Sequence, residues 1–439
     1  MLLQFRFSNF RSFKNETVLD MRASGSNEYS DHVRQEGVDK VLPVASIYGA
    51  NASGKSNVFR ALSDMLFYVL TSFAFDDQFN TEKNNGVLEM LKARFPLEPH
   101  FFQKDKPSTF EVYFTMLYKT RVQYFKYGFS LDSDGICEEW LGKAFKTDIE
   151  KNKPYKMLFE RQRGEKLFLA NSIEKYRENI ELSLQKKVLL ISLGTKLKIE
   201  LMMEVFNWFV HFVFLSTKDD IKRFSLNEFE QTMFPNELGK EMFEDGELKK
   251  RVLAYIRSFD TSIKDIHVTK DSMAEKSLRI GGVYHIFFIH RDKFGEISEI
   301  PIEDESAGTV KMISLYQSLQ DSLKQGSVFF ADELDIKLHP LLMRNIIINF
   351  TDLVRNPKNA QLIFTTHNTI YMDMGLLRRD EIWFTEKNDD VSELYSLDDI
   401  QDAGGNKIRK DANYAKNYLL GKYGAIPNLY ELMGDPDHE

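Results

Sequence analysis

The chain has 439 residues, and 43% of them are hydrophobic, which is enough to bury the core of one large domain or of two. Its 58 basic and 66 acidic residues give a formal net charge of −8, so nucleic acid binding is possible but gains no support from the charge. A single cysteine, Cys137, excludes an internal disulfide and agrees with a reducing cytoplasm.

The N-terminal segment predicts strands and not a secretory signal. Residues 1–22 alternate apolar and polar positions on both sides of a short break, as in a hairpin of two strands. The most apolar long stretch, residues 202–215, contains Glu204, Asn207 and His211 and is too short to span a membrane. We therefore expect a cytoplasmic protein without a membrane segment.

Sheets of two kinds are predicted on either side of a helical middle. Residues 44–73 follow the order strand, glycine-rich loop and helix, and residues 108–132 contain two aromatic-rich strands of an antiparallel sheet. Residues 172–260 favour helices, but their apolar positions keep no heptad spacing, so a coiled-coil arm is not expected. Residues 308–384 alternate between strand and helix, which is typical of a parallel sheet.

The sequence GANASGKS, residues 49–56, matches the pattern G-x-x-x-x-G-K-[ST] between a predicted strand and a predicted helix. The glycines let backbone N–H groups turn toward phosphate, and the helix N-terminus adds positive potential. Lys55 would reach the β- and γ-phosphates of ATP, and the Ser56 hydroxyl would ligate Mg²⁺. The predicted ATP-binding residues of this loop are Gly49, Asn51, Ser53, Gly54, Lys55, Ser56 and Asn57.

A second group of polar residues follows the apolar strand SVFFADE. Its last residues, Asp332 and Glu333, could hold the water shell of Mg²⁺ and polarise an attacking water, although ordinary surface acids are the alternative. Asp335 follows shortly after, and His367 ends the next predicted strand. Because the carboxyl ends of parallel strands lie at one edge of a sheet, we expect these residues to share a functional site.

The sequence separation of the two motifs predicts a divided nucleotide domain. More than half of the chain lies between Lys55 and Asp332. We expect an N-terminal lobe with the phosphate loop (1–170), a helical insertion (171–265) and a C-terminal lobe with the acidic strand (266–439).

Seven motifs in a fixed order give the chain a resemblance to a known superfamily. They are LQFRFSNFRSF, YGANASGKSN, ESAGTVKMI, ADELDIKLHP, FTTHN, RRDEIWF and GKYGAIPN. They resemble the ABC-type ATPases outside the transporter branch, which include the SMC, RecN, RecF and OLD-like proteins, and more closely the AAA15-type ATPases of bacterial defence loci, such as RloA, AbiLi and AriA. This resemblance implies an α/β ATPase head of mixed antiparallel and parallel sheets with flanking helices and a helical insertion.

The resemblance also implies roles for single residues. Ser56 and Asp332 would be the magnesium ligands, and Glu333 would be the catalytic base. His367 would be the switch histidine that senses the γ-phosphate, and Asp335 would communicate across a dimer.

Three further residues are less defined by the pattern. Arg11 would approach the nucleotide, or would be a surface arginine of a strand. His290 precedes the signature, where a core-strand role is the better interpretation. Gln103 is a candidate for the glutamine-containing loop of the superfamily.

The sequence ESAGT, residues 305–309, departs from the signature L-S-G-G-Q/E and keeps only the serine and the second glycine. In this superfamily the signature contacts the γ-phosphate bound to the other subunit, so Ser306 and Gly308 would bind ATP in trans within a two-fold pair. Alternatively, Ser306 or Thr309 caps the following helix, and the two roles are compatible.

These expectations combine into one functional hypothesis and two rivals. We expect a Mg²⁺-dependent ATPase that forms a homodimer or higher homo-oligomer through ATP and controls an effector, a nuclease or toxin encoded nearby. A role in antiphage defence is what the family resemblance implies. A RecF- or RecN-like DNA-repair ATPase and an ATP-locked scaffold with little turnover stay open.

Overall fold

The computed structural model describes residues 1–75, 98–216, 238–271, 283–336, 338–402 and 404–427. The strands are β1 (Leu2–Ser8), β2 (Thr17–Asp20), β3 (Arg34–Glu36), β4 (Asp39–Val41), β5 (Val44–Gly49), β6 (Ser108–Tyr118), β7 (Arg121–Asp132), β8 (Gly135–Ala144), β9 (Lys156–Gln162), β10 (Phe168–Leu169), β11 (Val213–Ser216), β12 (Ile263–Asp271), β13 (Val283–Arg291), β14 (Ile297–Pro301), β15 (Val328–Asp332), β16 (Gln361–Thr365), β17 (Ile382–Asn388) and β18 (Val391–Ser396). Helices span Lys55–Thr71, Lys146–Glu150, Arg177–Ser183, Leu190–Lys196, Glu200–Val210, Gly246–Arg257, Ala307–Gln325, Pro340–Thr351, Ile370–Asp373 and Tyr414–Leu419.

An antiparallel sheet contains the N-terminal strands. Its order is β10-β9-β8-β7-β6-β1-β2. The hairpin predicted within residues 1–22 is confirmed by the pairing of β1 with β2, and the predicted strands of residues 108–132 pair as β6 and β7. Alternate residues of β6, such as Phe110 and Val112, are buried, because successive side chains of a strand point to opposite faces.

The other large sheet contains the phosphate-loop strand β5, in the order β11-β15-β16-β5-β17-β18. It is parallel from β11 to β17, as predicted from the alternating pattern, and only β18 is antiparallel. Every residue of β5, β15 and β16 is buried, which is typical of a parallel sheet covered on both faces. Phe330 belongs to the core shared with the antiparallel sheet, and Phe329 to the core on the opposite face.

The helix Lys55–Thr71 packs between the two large sheets. Its residues Val58, Met65 and Tyr68 are buried in the core that also contains side chains of the antiparallel sheet. The Phe59 ring lies edge-on to Phe330 of β15, with 5.1 Å between ring centroids. The start of this helix is thereby fixed against the parallel sheet.

The middle of the chain differs in one respect from the helical prediction. It forms three short helices between residues 177 and 210, but the chain then enters β11, which pairs in parallel with β15. The aromatic and β-branched residues after His211 suit a strand, and the edge of β15 provides backbone partners that sequence periodicity does not reveal. The limits of the predicted insertion, residues 171–265, stay a prediction.

A third, smaller core surrounds the ESAGT loop. The strands β12, β13 and β14 form an antiparallel sheet. Ile266 and Phe288 of this sheet pack with Ile256 of the helix Gly246–Arg257 and with Ile313 of the helix Ala307–Gln325. The signature-like loop is therefore supported by its own layer of structure.

None of the helices within the described ranges combines the length and apolar character needed to cross a bilayer.

The single cysteine lies beside an acidic residue. The Cys137 thiol donates to the Asp132 carboxylate at 3.2 Å, and the pKa of this thiol is raised to about 11, chiefly by burial.

We predict that Gln361→Leu destabilises the protein by about 2–4 kcal/mol. The buried Gln361 side chain accepts from Leu2 N at 2.7 Å and donates to Leu2 O at 2.9 Å and Leu42 O at 3.1 Å. Leucine would remove all three hydrogen bonds that join the start of β16 to Leu2 of β1 and to Leu42 before β5. The exposed Gln35→Leu is the matched control, and equal denaturation midpoints for the two variants would contradict the prediction.

Candidate functional site

Two glycines of the phosphate loop (residues 49–56) are required by its backbone and its neighbours. Gly49 has a φ of 154° and Gly54 a φ of 118°, which side-chain-bearing residues rarely adopt. A Cβ atom on Gly49 would lie 2.5 Å from the Thr385 carbonyl oxygen, and one on Gly54 would lie 2.8 Å from Ser392 Oγ. The loop is thus packed directly against β17 and β18.

Hydroxyl and amide side chains fix the loop in this position. Ser53 Oγ and Thr385 Oγ1 are 2.6 Å apart, and Ser392 Oγ donates to Ser53 O at 2.7 Å. Asn57 Nδ2 donates to Ser12 Oγ at 2.8 Å, and Ser12 Oγ lies 2.8 Å from Ser392 Oγ. Thr385, Ser392 and Ser12 could not be predicted as members of the site, because small hydroxyl residues carry no motif of their own.

The lysine of the loop is folded over the loop backbone. Lys55 is buried, and its Nζ atom donates to the carbonyl oxygens of Gly49 and Ala50, both at 2.8 Å. Asn51, at the tip of the loop, is exposed. An anion that enters the loop would meet this ammonium group together with the N-terminus of the following helix.

The predicted magnesium ligands lie next to each other. Ser56 Oγ donates to Asp332 Oδ1 at 3.3 Å, and Thr365 Oγ1 donates to the same oxygen at 2.6 Å. The Ser56 hydroxyl and the Asp332 carboxylate are oxygen ligands of the kind that Mg²⁺ takes together with water and phosphate oxygens. Within the described residues, no group of three or more His, Cys, Asp or Glu side chains is arranged to hold a metal ion.

Glu333 follows in an unusual backbone conformation. Its φ is +52°, a left-handed value that costs energy in a residue with a side chain, and its N–H donates to Thr365 Oγ1 at 2.8 Å. Its Oε1 atom is 4.0 Å from His367 Nε2. The tips of β15 and β16 therefore bring Asp332, Glu333 and His367 together at one edge of the sheet.

Asp335 lies behind this edge. It is half-buried, and its carboxylate is hydrogen-bonded to Tyr371. Burial is the main cause that raises the pKa of Tyr371, and the negative charge of Asp335 raises it further. Asn368 Nδ2 also donates to the Tyr371 hydroxyl, at 3.3 Å.

Arg11 lies in a turn beside the phosphate loop. Its backbone N–H donates to Glu98 O at 2.8 Å, and its guanidinium group forms an ion pair with the Glu98 carboxylate. The next residue is Ser12, which contacts the loop directly. Gln103 belongs to the adjoining segment, where its carbonyl oxygen accepts from Asn9 Nδ2 at 3.0 Å.

Ser306 caps the helix Ala307–Gln325. Its Oγ atom accepts from Thr309 N at 3.1 Å, the geometry of a helix N-cap. Ser306 is exposed and Gly308 is half-buried in the first turn of the helix. These contacts belong to the layer that contains β12, β13 and β14, whereas the phosphate loop contacts β15, β17 and β18.

The fold and the site together define the class of protein. A phosphate loop at the end of a parallel strand, with carboxylates at the tip of another strand of the same sheet, is the arrangement of a P-loop ATPase. The antiparallel sheet and the flanking helices give the mixed α/β architecture that the sequence predicted. Residues 44–373 match the family described as "AAA domain, putative AbiEii toxin, Type IV TA system", and the chain belongs to this family.

Two other comparisons add nothing to this assignment. No protein with a curated description matches the chain. Among solved structures the chain is similar to "Crystal structure of the SmcHead bound to the C-winged helix domain of ScpA", with 16% sequence identity, a TM-score of 0.40 and coverage of 90% of this chain and 97% of that one. Values this low support no conclusion about function.

We predict that Thr365→Val lowers magnesium-dependent ATP turnover by about 10- to 100-fold. Valine keeps the shape of the buried side chain but removes the hydroxyl that orients Asp332 and the backbone of Glu333. Turnover is measured as phosphate release at saturating ATP. Thr351→Val, a buried change in the helix Pro340–Thr351, is the matched control, and equal turnover of the two variants would contradict the prediction.

Proposed function

We propose that this protein is a Mg²⁺-dependent ATPase of the AAA15-type, OLD-like group that pairs through ATP and controls an effector. The observation that carries the proposal is the contact between Ser56 and Asp332, with Glu333 and His367 beside them. This arrangement supports ATP hydrolysis because it offers a phosphate cradle, two oxygen ligands for Mg²⁺ and a carboxylate for the attacking water.

In this proposal the phosphate loop binds the nucleotide. Lys55 leaves the loop carbonyls and pairs with the β- and γ-phosphates, while the backbone around Gly54 donates N–H groups. Ser56 and Asp332 hold Mg²⁺, which neutralises charge on the phosphate oxygens when bound. Arg11 exchanges part of its contact with Glu98 for the nucleotide. The other members of the loop set, Gly49, Asn51, Ser53 and Asn57, shape the cradle.

Glu333 is the proposed catalytic base. Its carboxylate takes a proton from water as the water oxygen bonds to the γ-phosphorus, and the bond from that phosphorus to the β,γ-bridging oxygen breaks. The products are ADP and inorganic phosphate. The 4.0 Å separation of Glu333 and His367 allows both to contact the same water or phosphate oxygen, so His367 would register the γ-phosphate.

Pairing of two chains completes each nucleotide site. Ser306 is exposed at the N-terminus of a long helix, where a hydroxyl, backbone N–H groups around Gly308 and the helix dipole favour an anion. In a two-fold pair this site would contact the γ-phosphate held by the partner's phosphate loop, and Asp335 would transmit the state of the site across the pair. Hydrolysis removes the shared phosphate and releases the pair.

The effector is proposed from the family and not from a site. The family description names a toxin and a toxin–antitoxin system, which supports a nuclease or toxin encoded nearby as the partner. The proposed role in antiphage defence comes from the resemblance to the AAA15-type ATPases of defence loci. The proposed docking element is the helical insertion, residues 172–260, or the exposed surface near residues 405–430. A neighbouring open reading frame for a toxic protein would agree with this role, and a set of recombination genes would contradict it.

We predict that Glu333→Gln lowers ATP hydrolysis by about 100-fold or more and traps an ATP-dependent pair. Glutamine keeps the size of the side chain but cannot accept the proton of the attacking water. Phosphate release and light scattering after gel filtration, with and without ATP, measure the two effects. Glu393→Gln on the exposed face of β18 is the control, and undetectable hydrolysis by the unchanged protein would favour the ATP-locked scaffold instead.

We predict that Ser306→Arg abolishes ATP-dependent pairing and turnover while nucleotide binding by the single chain is kept. The arginine side chain would occupy the space that the partner's phosphate must enter, but it lies outside the contacts of the phosphate loop. Pairing is measured in the Glu333→Gln background, and binding is measured with a fluorescent ATP analogue at low protein concentration. Ser133→Arg in an exposed turn is the control. If Ser306→Arg hydrolysed ATP at the wild-type rate, the proposal would be wrong and Ser306 would act only as a helix cap.

A further inference from the structure

Six residues at the signature-like loop form a closed ring of hydrogen bonds, five between side chains and one from the Ser306 backbone N–H. Each member contacts the next by a hydrogen bond, and the last contacts the first. In order around the ring they are His290, Glu305, Ser306, Thr309, Asp260 and Ser262. The ring joins the end of β13, the loop before β12 and the start of the helix Ala307–Gln325.

His290 contacts Glu305 directly and reaches the other acidic residue of the ring, Asp260, through Ser262. Its Nε2 atom lies 2.6 Å from Glu305 Oε1, and its Nδ1 atom lies 3.3 Å from Ser262 Oγ. The Ser262 hydroxyl already donates its proton to Asp260 Oδ1 at 2.6 Å, so it can only accept from the imidazole. Both ring nitrogens of His290 then donate, which is the hydrogen-bonding pattern of a positively charged imidazolium.

Thr309 closes the ring on the other side. Its hydroxyl donates to Asp260 Oδ2 at 3.4 Å and lies 2.8 Å from Ser306 Oγ. The Ser306 hydroxyl can therefore donate to Thr309 while it accepts from Thr309 N. The conformation of Ser306 is thus determined by a network whose only cationic side chain is His290.

Glu305 lies where its negative charge would oppose phosphate binding at Ser306, so the positive charge of His290 affects that binding. Its side chain is 7% exposed, is adjacent in sequence to Ser306, and accepts from Ser306 N at 3.3 Å through Oε2. A phosphate that approaches Ser306 would meet this carboxylate, and like charges near a partly buried site repel strongly. His290, in direct contact with Glu305, is placed to cancel this repulsion.

We propose that His290 is a positioning residue for ATP-driven pairing, because its positive charge neutralises Glu305 beside the phosphate site of Ser306. This inference rests on the proposed shared nucleotide site. The expected core-strand role of His290 is thereby extended, since the side chain reaches from β13 to the loop that would contact the partner's phosphate. The phosphate loop of the same chain is outside the ring, so nucleotide binding by a single chain does not depend on His290.

The test separates the charge of His290 from its hydrogen bond. In the Glu333→Gln background, His290→Gln keeps an N–H donor at nearly the same position but is neutral. We expect the ATP concentration for half-maximal pairing to rise about 10-fold, with nucleotide binding by the single chain unchanged. His285→Gln, an exposed histidine of the same strand, is the matched control and should have no effect.

A second change to Glu305 distinguishes the electrostatic role from a structural one. Glu305→Gln removes the carboxylate, so we expect it to pair at the same or lower ATP concentration, and to restore pairing when combined with His290→Gln. If His290→Gln pairs like its parent, or if the double variant is no better than His290→Gln, the inference is wrong. If the Glu333→Gln parent itself does not pair in ATP, the proposed shared nucleotide site is wrong, and the proposed function is wrong with it.

Discussion

Backbone hydrogen bonds between β5 and its parallel neighbours β16 and β17 place the candidate site residues of distant segments at one sheet edge. The register pairs Ile47 with Thr365, and the next pair of strands aligns Ala331 with Phe364. Parallel strands end at the same edge, so the phosphate loop after β5 and the acids after β15 meet even though more than half of the chain separates them. Strand pairing, and not sequence proximity, therefore brings these two segments together.

One hydroxyl group connects Asp332 and Glu333 at this edge. Thr365 Oγ1 donates to the Asp332 carboxylate and accepts from the Glu333 N–H, and it thereby sets the direction of two successive acidic side chains. The left-handed φ of Glu333 shows that the chain is bent sharply at this point, a conformation that the surrounding contacts must maintain. Substrate charge and metal charge would therefore enter a site whose acids are already oriented.

Local chemistry explains which parts of the site could be predicted. The pattern around Lys55 can be recognised from the sequence, because each residue type in it has a defined role in phosphate binding. The pair Asp332-Glu333 can be recognised because it follows an apolar strand. Thr365, Thr385, Ser392 and Ser12 do not stand out, because a hydroxyl residue acquires its role from the strand that lies beside it. The strand β11 was missed for the same reason, since the edge of β15 is its partner and periodicity describes only the segment itself.

The sequence by itself determined the class of chemistry, since it contains the phosphate loop, the acidic strand and the alternating pattern of a parallel sheet, all of which depend on short-range spacing. Only the tertiary structure decided which side chains orient those groups and how charge is arranged around Ser306. The contacts of His290 with Glu305 and Ser262 join residues from three separate segments, and no local pattern encodes them. Hydrogen bonds and charge pairs of this kind form between whichever groups the packed sheets bring within reach, so their identity follows from the fold.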